Sequence, residues 1–420
     1  MHLTLAVIKM NRLLLILFLF TFGAIKAQVL KLDSLDSFVA SKYYTSLDDN
    51  VSLLSGFNVN DLNGIREIVH FVKSDSICSN LNKAIEQPQT CTRLDLKGQT
   101  HLKYCKGIDV LKNLEYLNIS AVFTAKWGNY IREIPHGVYE LNDLKILIAD
   151  RSNLKLISHE IENLQDLEYL SLKNGRLTEV PKEIGDLKKL VALDLSFNQI
   201  TLLPDNFRNL NNLKYLNLAG NSFINSIDKE LKNLSNLEFL SIEFANENED
   251  DFESTINAIS KLPNLKVLHL RNSYVKTLPD SFKDFKNLKQ LSLRGNFDLN
   301  LSQTFEVLSN IDSLEILDLS FSRIESLPDD IGKMTNLKTL YIGNFEWCCP
   351  MIHFHGGSPN NRVTKLPSSA KSLKSLQNLY LWTWDITDKE KKAITKLLPN
   401  TKIEFETKQI DLDEEFKEKE

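Results

Sequence analysis

Residues Leu190–Asn212 read LVALDLSFNQITLLPDNFRNLNN. The apolar positions are Leu190, Leu193, Leu195, Ile200, Leu203, Phe207 and Leu210, with Asn198 and Pro204 between them. A helix of 3.6 residues per turn cannot bring these to one side, and neither can one continuous strand. A short strand, a tight turn and a return segment can, provided each coil stacks on a neighbour that shares its core. The stretch therefore demands recurrence.

It recurs along most of the chain. Equivalent starts are Cys91, Leu114, Leu144, Leu167, Leu190, Leu213, Leu237, Leu265, Leu288, Leu314, Leu337 and Leu376, most often 23 residues apart. Residues at +3 and +5 from each start are almost always Leu or Ile, as in Leu193 and Leu195 or Leu317 and Leu319. Two apolar residues alternating with polar ones make a short strand with one buried face. Twelve parallel strands at ~4.8 Å would run for roughly 55 Å. Six repeats open their return segment with Pro135, Pro181, Pro204, Pro279, Pro328 or Pro367. Proline suits a place where φ is fixed and no ladder donor is needed.

These positions together resemble the leucine-rich repeat family. The form L-P-x-x-I, as in Leu327-Pro328-Asp329-Asp330-Ile331, resembles the plant and Ras-group type, a pattern shared by short exported bacterial repeat proteins. The resemblance covers about residues 91–400. It implies an α/β solenoid, a curved horseshoe with a parallel β-sheet on the concave face and helices or loops on the convex face. The family's eighth position usually holds an Asn that bonds the adjoining turn. Asn198, Asn221 and Asn296 match it, whereas Gln99, Ser152, Gly175, Ala245, Ser273, Ser322, Phe345 and Trp384 depart. An interrupted turn ladder and an irregular curve are expected.

The ends depart from the repeat. Lys9 and Arg12, the apolar run Leu13–Phe22 and small residues up to Ala27 have the order of a secretory signal peptide, with Met10 as an alternative start. Residues 1–27 are expected to be cleaved near Ala27–Gln28, leaving a secreted, periplasmic or surface protein with no transmembrane segment; the run is short for a span. Residues 28–90 read as an N-terminal helical cap, with a separate binding module as the alternative. Asn60 can cap one helix through Leu62, Ile65 and Val69, and a second helix follows Ser79 up to Pro88. A solenoid end needs such cover for its apolar edge. Thr387 and Glu390 form a capping box in the last repeat. Residues 401–420 supply a final strand around Ile403 and an acidic tail.

Composition and motifs narrow the chemistry. The sequence is 42% hydrophobic and 25% charged, with net charge −5, so it offers no general basic field for nucleic acid. No phosphate-cradling glycine loop, H-E-x-x-H helix or G-x-S-x-G elbow occurs, and no catalytic residue or cofactor is expected. Cys348, Cys349, His353 and His355 bring four N/S ligand types into one insertion. Adjacent cysteines poorly serve one tetrahedral ion, so an ordered loop or an oxidised pair is favoured over zinc. Glu247, Glu249, Asp250 and Asp251 lack calcium-loop spacing and read as a helix-start cluster. Cys91 fills a repeat position, and no recurring spacing supports a Cys78–Cys105 bridge.

The best candidate surface is the concave face. Side chains at +2, +4, +6 and +7 leave the core and include Tyr116, Tyr169, Tyr215 and Phe239 at +2, and Phe197, Phe244 and Phe321 at +7. Exposed aromatics on a rigid curved sheet suit a protein or peptide partner, with the His269, Arg271 and Arg294 patch facing acidic groups. Tyr341, Tyr380, Trp382 and Trp384 form a further cluster near the end that also serves the cap. The reading is a non-catalytic protein-binding scaffold. Its alternatives are a carbohydrate- or cell-wall-binding surface protein and an intracellular scaffold whose leader is misread.

Overall fold

The structure, a computed structural model, describes residues 77–98, 105–121, 131–221, 223, 227–242, 249–344, 360–383 and 386–405. All belong to one compact unit, Asp61–Glu406. Its centre is a sheet of thirteen strands that pair in chain order, every pair parallel. The strands are β1 (Arg93–Asp95), β2 (Tyr116–Asn118), β3 (Ile146–Ile148), β4 (Tyr169–Ser171), β5 (Ala192–Asp194), β6 (Tyr215–Asn217) and β7 (Phe239–Ser241). They continue as β8 (Val267–His269), β9 (Gln290–Ser292), β10 (Ile316–Asp318), β11 (Thr339–Tyr341), β12 (Asn378–Tyr380) and β13 (Lys402–Glu404).

Register follows from the leucines. Leu94, Leu117, Leu147, Leu170, Leu193 and Leu216 are successive partners, and the row runs on through Leu240, Leu268, Leu291, Leu317, Leu340 and Leu379 to Ile403. One slipped residue would turn a whole row outward, so the buried row pins every strand. These leucines join Ile184, Phe207, Phe282, Ile331 and their equivalents in one continuous core. The result is a curved α/β solenoid with its sheet on the concave side.

The convex side returns mainly through single 3₁₀ turns. Pro135, Pro181, Pro204, Pro279, Pro328 and Pro367 each stand immediately before such a turn, with φ between −55° and −74°. Where this proline is missing, the Ser158 hydroxyl takes over and accepts from the Glu160 amide. Among the described residues five α-helices interrupt the pattern: α1 (Leu81–Glu86), α2 (Asp228–Leu231), α3 (Glu249–Ile259), α4 (Leu301–Leu308) and α5 (Asp388–Leu397). α3 and α4 occupy the long seventh and ninth repeats and bury Ile256, Ile259, Phe305 and Leu308. Both arms of the expected capping box of α5 are formed.

Two asparagine ladders tie coil to coil. Asn198, Asn221 and Asn296 donate to backbone carbonyls on both sides, as in Asn296 to Leu270 and Leu293, and accept amides of the preceding coil. The departure expected at Phe345 is corrected here. Asn361 makes the equivalent bonds to the Leu319 and Ile342 carbonyls and accepts the Ser322 and Ile324 amides. Asn344 and Asn361 exchange two further bonds of 2.7 Å, so both ends of the largest insertion are clamped to the coil. Ser152, Ser273 and Ser322 donate to Ala149, Arg271 and Ser320 of their own turn. Strand register nonetheless stays unbroken through them. On the convex edge a second ladder runs from Asn212, Asn236, Asn264 and Asn287 to carbonyls of the coil before.

Candidate functional site

The +2 and +4 rows stand opposite the leucine core and pack against one another along the sheet. Parallel strands lie ~4.8 Å apart, so successive side chains of one row meet in van der Waals contact. Tyr215 and Phe239 stack face to face with ring centroids 4.4 Å apart, and His269 meets Phe239 edge-on at 5.1 Å. Tyr341 and Tyr380 stack at 4.4 Å farther along, with Trp382 tilted against Tyr380. The Arg93 guanidinium lies over the Tyr116 ring.

The +7 row forms the rim where strands pass into turns, and at most of its described positions the backbone is left-handed. Gly98, Arg151, Asn174, Phe197, Gly220, Asn272, Gly295 and Phe321 all have positive φ. Glycine takes this conformation freely and asparagine tolerates it, whereas a bulky side chain there costs roughly 1–2 kcal/mol. Phe197 and Phe321 hold it at φ 55°. Each ring also covers a cation from the coil before: Lys173 lies 5.8 Å from the Phe197 centroid and Arg294 4.4 Å from that of Phe321. Beneath Phe197 lies Gly220, where a Cβ would stand 2.7 Å from the ring. The same module therefore appears twice along one rim, on either side of the Tyr215–Phe239–His269 stack.

The charges under this rim are held tightly. Asp150 is buried between β4 and its own strand's continuation, accepting from Ser171 Oγ at 2.5 Å and from the Lys173 amide at 3.0 Å. Its Oδ2 has no hydrogen-bond partner among the described residues. Burial, reinforced by nearby Asp194, pushes its carboxyl up to about 7. Farther along, Arg271 Nε donates to Ser292 Oγ, whose hydroxyl donates to Asp318. Burial and the Arg271 charge lower His269 well below the usual imidazole range, so it is neutral at physiological pH. At the other edge of the sheet, Glu115–Lys145, Glu238–Lys266 and Glu315–Lys338 form ion pairs of 2.8 Å between adjacent coils. Their partial exposure limits each to at most about 1 kcal/mol.

Residues 155–307 match the family model of a leucine-rich repeat region, and residues 313–334 match that of a single leucine-rich repeat. The chain contains a leucine-rich repeat region. Its structure is similar to an internalin, InlF, of Listeria monocytogenes, at 21% identity over 78% of this chain and 86% of that one, with TM-score 0.54. A leucine-rich repeat protein of Leptospira interrogans is 25% identical over 79% of this chain and 100% of that one, with TM-score 0.43. The ectodomain of the Arabidopsis thaliana receptor kinase GASSHO1/SCHENGEN3, solved with Casparian strip integrity factor 2, is 22% identical. It covers 73% of this chain and 40% of that one, with TM-score 0.44. No curated protein sequence matches. The fold suggests a protein-binding scaffold, and no catalytic family matches.

The repeat protein carries its sequence-singled residues on the concave face, but few of them as an open platform. Tyr116 and Tyr169 are only 5% exposed and Phe239 3%, which corrects the expectation of exposed aromatics at +2. Row packing at strand spacing is the cause. His269, Arg271 and Arg294 are likewise buried, Tyr215 and Phe321 are half-buried, and Phe197 is 37% exposed. The structure brings Tyr215, Phe239 and His269 together, and separately joins Arg294 to Phe321. Tyr274, 55% exposed and also at positive φ, was not singled out from the repeat pattern, because it lies at +9, beyond the rows that leave the core. Asp150 was missed too; its +6 position carried no chemical signature until the neighbouring coil closed over it.

Several expectations lie outside the described residues: the 1–27 leader, the helix after Asn60, Phe244, Trp384, the acidic tail and the cysteines and histidines at 348, 349, 353 and 355. Among the described residues no helix is long and apolar enough to cross a membrane, and no group of three metal-ligating side chains occurs. No disulfide joins Cys78 to Cys105 in the structure.

Proposed function

We propose that this is an exported, non-catalytic scaffold that recognises a protein or peptide on its concave face. The observation that carries the reading is the pair of phenylalanines, Phe197 and Phe321, kept in a left-handed backbone that glycine or asparagine would occupy more easily. Strain of this kind persists where a side chain serves something other than the fold. Both rings sit at the rim over a cation and flank the central aromatic stack, so a partner spanning the groove meets apolar anchors at each end. Tyr215, Phe239, Arg271 and Arg294 then form the rigid floor, with Tyr116, Tyr169 and His269 in the same rows. Residues 28–90 are assigned to the cap, and 1–27 to the export leader.

A carbohydrate-binding surface is the less favoured reading. Sugar recognition by stacking needs free ring faces, and Tyr215 with Phe239, like Tyr341 with Tyr380, already cover one another's faces. The test is capture of partners by the full chain and by a Phe197→Asn/Phe321→Asn variant. Asparagine keeps the backbone conformation, as Asn174 and Asn272 do. A partner bound at least tenfold more weakly by an equally stable variant supports the concave rim. Equal capture by both proteins removes it.

A further inference from the structure

We propose that Cys78 and Cys91 are a disulfide-forming pair that locks the N-terminal edge of the sheet. Cys78 stands outside β1, where it forms a lone parallel bridge with Leu94. Its amide donates to the Arg93 carbonyl and its own carbonyl accepts from the Asp95 amide, both at 2.8 Å. Cys91 Sγ donates to the same Arg93 carbonyl at 3.5 Å, so the two cysteines converge on one oxygen. Burial, and after it the neighbouring Cys78 thiol, hold the Cys91 proton more tightly. Cys105 is buried elsewhere in the first coil. Cys78 through its backbone amide and Cys91 through its thiol both meet the Arg93 carbonyl, which brings the two residues together at the edge of β1.

The two thiols have unequal access, which orders the chemistry. Cys78 is partly exposed and Cys91 fully buried. With oxidised glutathione as oxidant, the Cys78 thiolate attacks one glutathione sulfur and releases one glutathione thiolate, forming a mixed disulfide. Cys91, having given its proton to solvent, then attacks the Cys78 sulfur and expels the second glutathione thiolate. Two protein thiols become one disulfide while one glutathione disulfide becomes two glutathione thiols, so electrons and protons balance. Burial pushes the Cys91 thiol up to about 12, which makes the second step the slow one. The bond would close a loop of 14 residues and hold the segment around Cys78 against the edge of β1.

The inference rests on the exported reading only for where the oxidant is met, and the chemistry is tested independently of it. The purified full chain is incubated with oxidised glutathione, trapped, and mapped by mass spectrometry without reduction. The expected product is a Cys78–Cys91 peptide pair lacking two hydrogens. Hydrogen exchange at the Asp95 amide should slow on the order of 100-fold in that product, and not in Cys78→Ser treated alike. A stable glutathione adduct at Cys78, a link from Cys78 to any other cysteine, or exchange at Asp95 unchanged by the bond would each overturn the proposal. A thiol state that stays reduced in cells, with the bond forming readily in the purified chain, would instead count against export alone.

Discussion

Replacing Asp150 with asparagine should make the protein more stable at pH 8 and leave it nearly unchanged at pH 4. The carboxyl is buried on the concave side, with Ser171, the Lys173 amide and ammonium, Asp194 and Tyr116 around it. Its folded value is about 7, against an ordinary 3.8. Because the folded value is raised, the protonated form is the one the fold prefers. Stability is therefore full below about pH 4, falls as pH rises from 4 to 7, and levels off above 7. A difference of roughly three units at about 1.4 kcal/mol each corresponds to on the order of 4 kcal/mol. Asparagine is the neutral isostere: its carbonyl oxygen can still accept from Ser171 and Lys173, and it never ionises. At about 2 °C per kcal/mol for a unit of this size, the variant should unfold roughly 5–10 °C higher at pH 8. The assay is thermal unfolding of both proteins followed by circular dichroism across pH 4–8.5. A gap between the curves that stays constant with pH, or a variant less stable at pH 8 than at pH 4 relative to wild type, would refute the reasoning. The same carboxyl lies in the proposed binding groove, so a partner placing a cation over Asp150 and Asp194 should release a proton on binding near neutral pH.

The remaining predictions concern the coil contacts. Asn361→Ala removes four hydrogen bonds to buried backbone groups and should destabilise by about 3 kcal/mol, read as an earlier denaturation midpoint; loss under 1 kcal/mol would deny it a ladder role. Gly185→Ala puts a Cβ 2.2 Å from the Asn206 carbonyl oxygen of the next coil, whereas the equivalent Gly332→Ala meets Ser369 at 2.7 Å. Both should destabilise, by about 2–3 kcal/mol for the first and less for the second, and a reversed order in unfolding midpoints would contradict the close approach.

Much of the solenoid was legible in the chain. Leucines at +3 and +5 can be buried together only in stacked coils, so strand order, register and the prolines before the 3₁₀ turns followed from local text. The helices over Glu249–Ile259 and Leu301–Leu308 fill repeats longer than the usual 23 residues, and their Ile256, Ile259, Phe305 and Leu308 fall at helical spacing. The ladder asparagine after the insertion was not, because Asn361 stands 24 residues after Leu337 rather than eight, and only folding returns it to the Leu319 and Ile342 carbonyls.

The site divides along the same line. The sequence determined which side chains leave the core, since alternation along a strand assigns the face. It could not say whether those side chains are open or covered, because that depends on the neighbouring coil only ~4.8 Å away. Stacking buried Tyr116, Tyr169 and Phe239, left Phe197 at the rim, and took water from Asp150. It also brought Cys78 and Cys91 together at the Arg93 carbonyl. Periodicity is a property of one coil; burial, protonation and thiol pairing belong to the space between two.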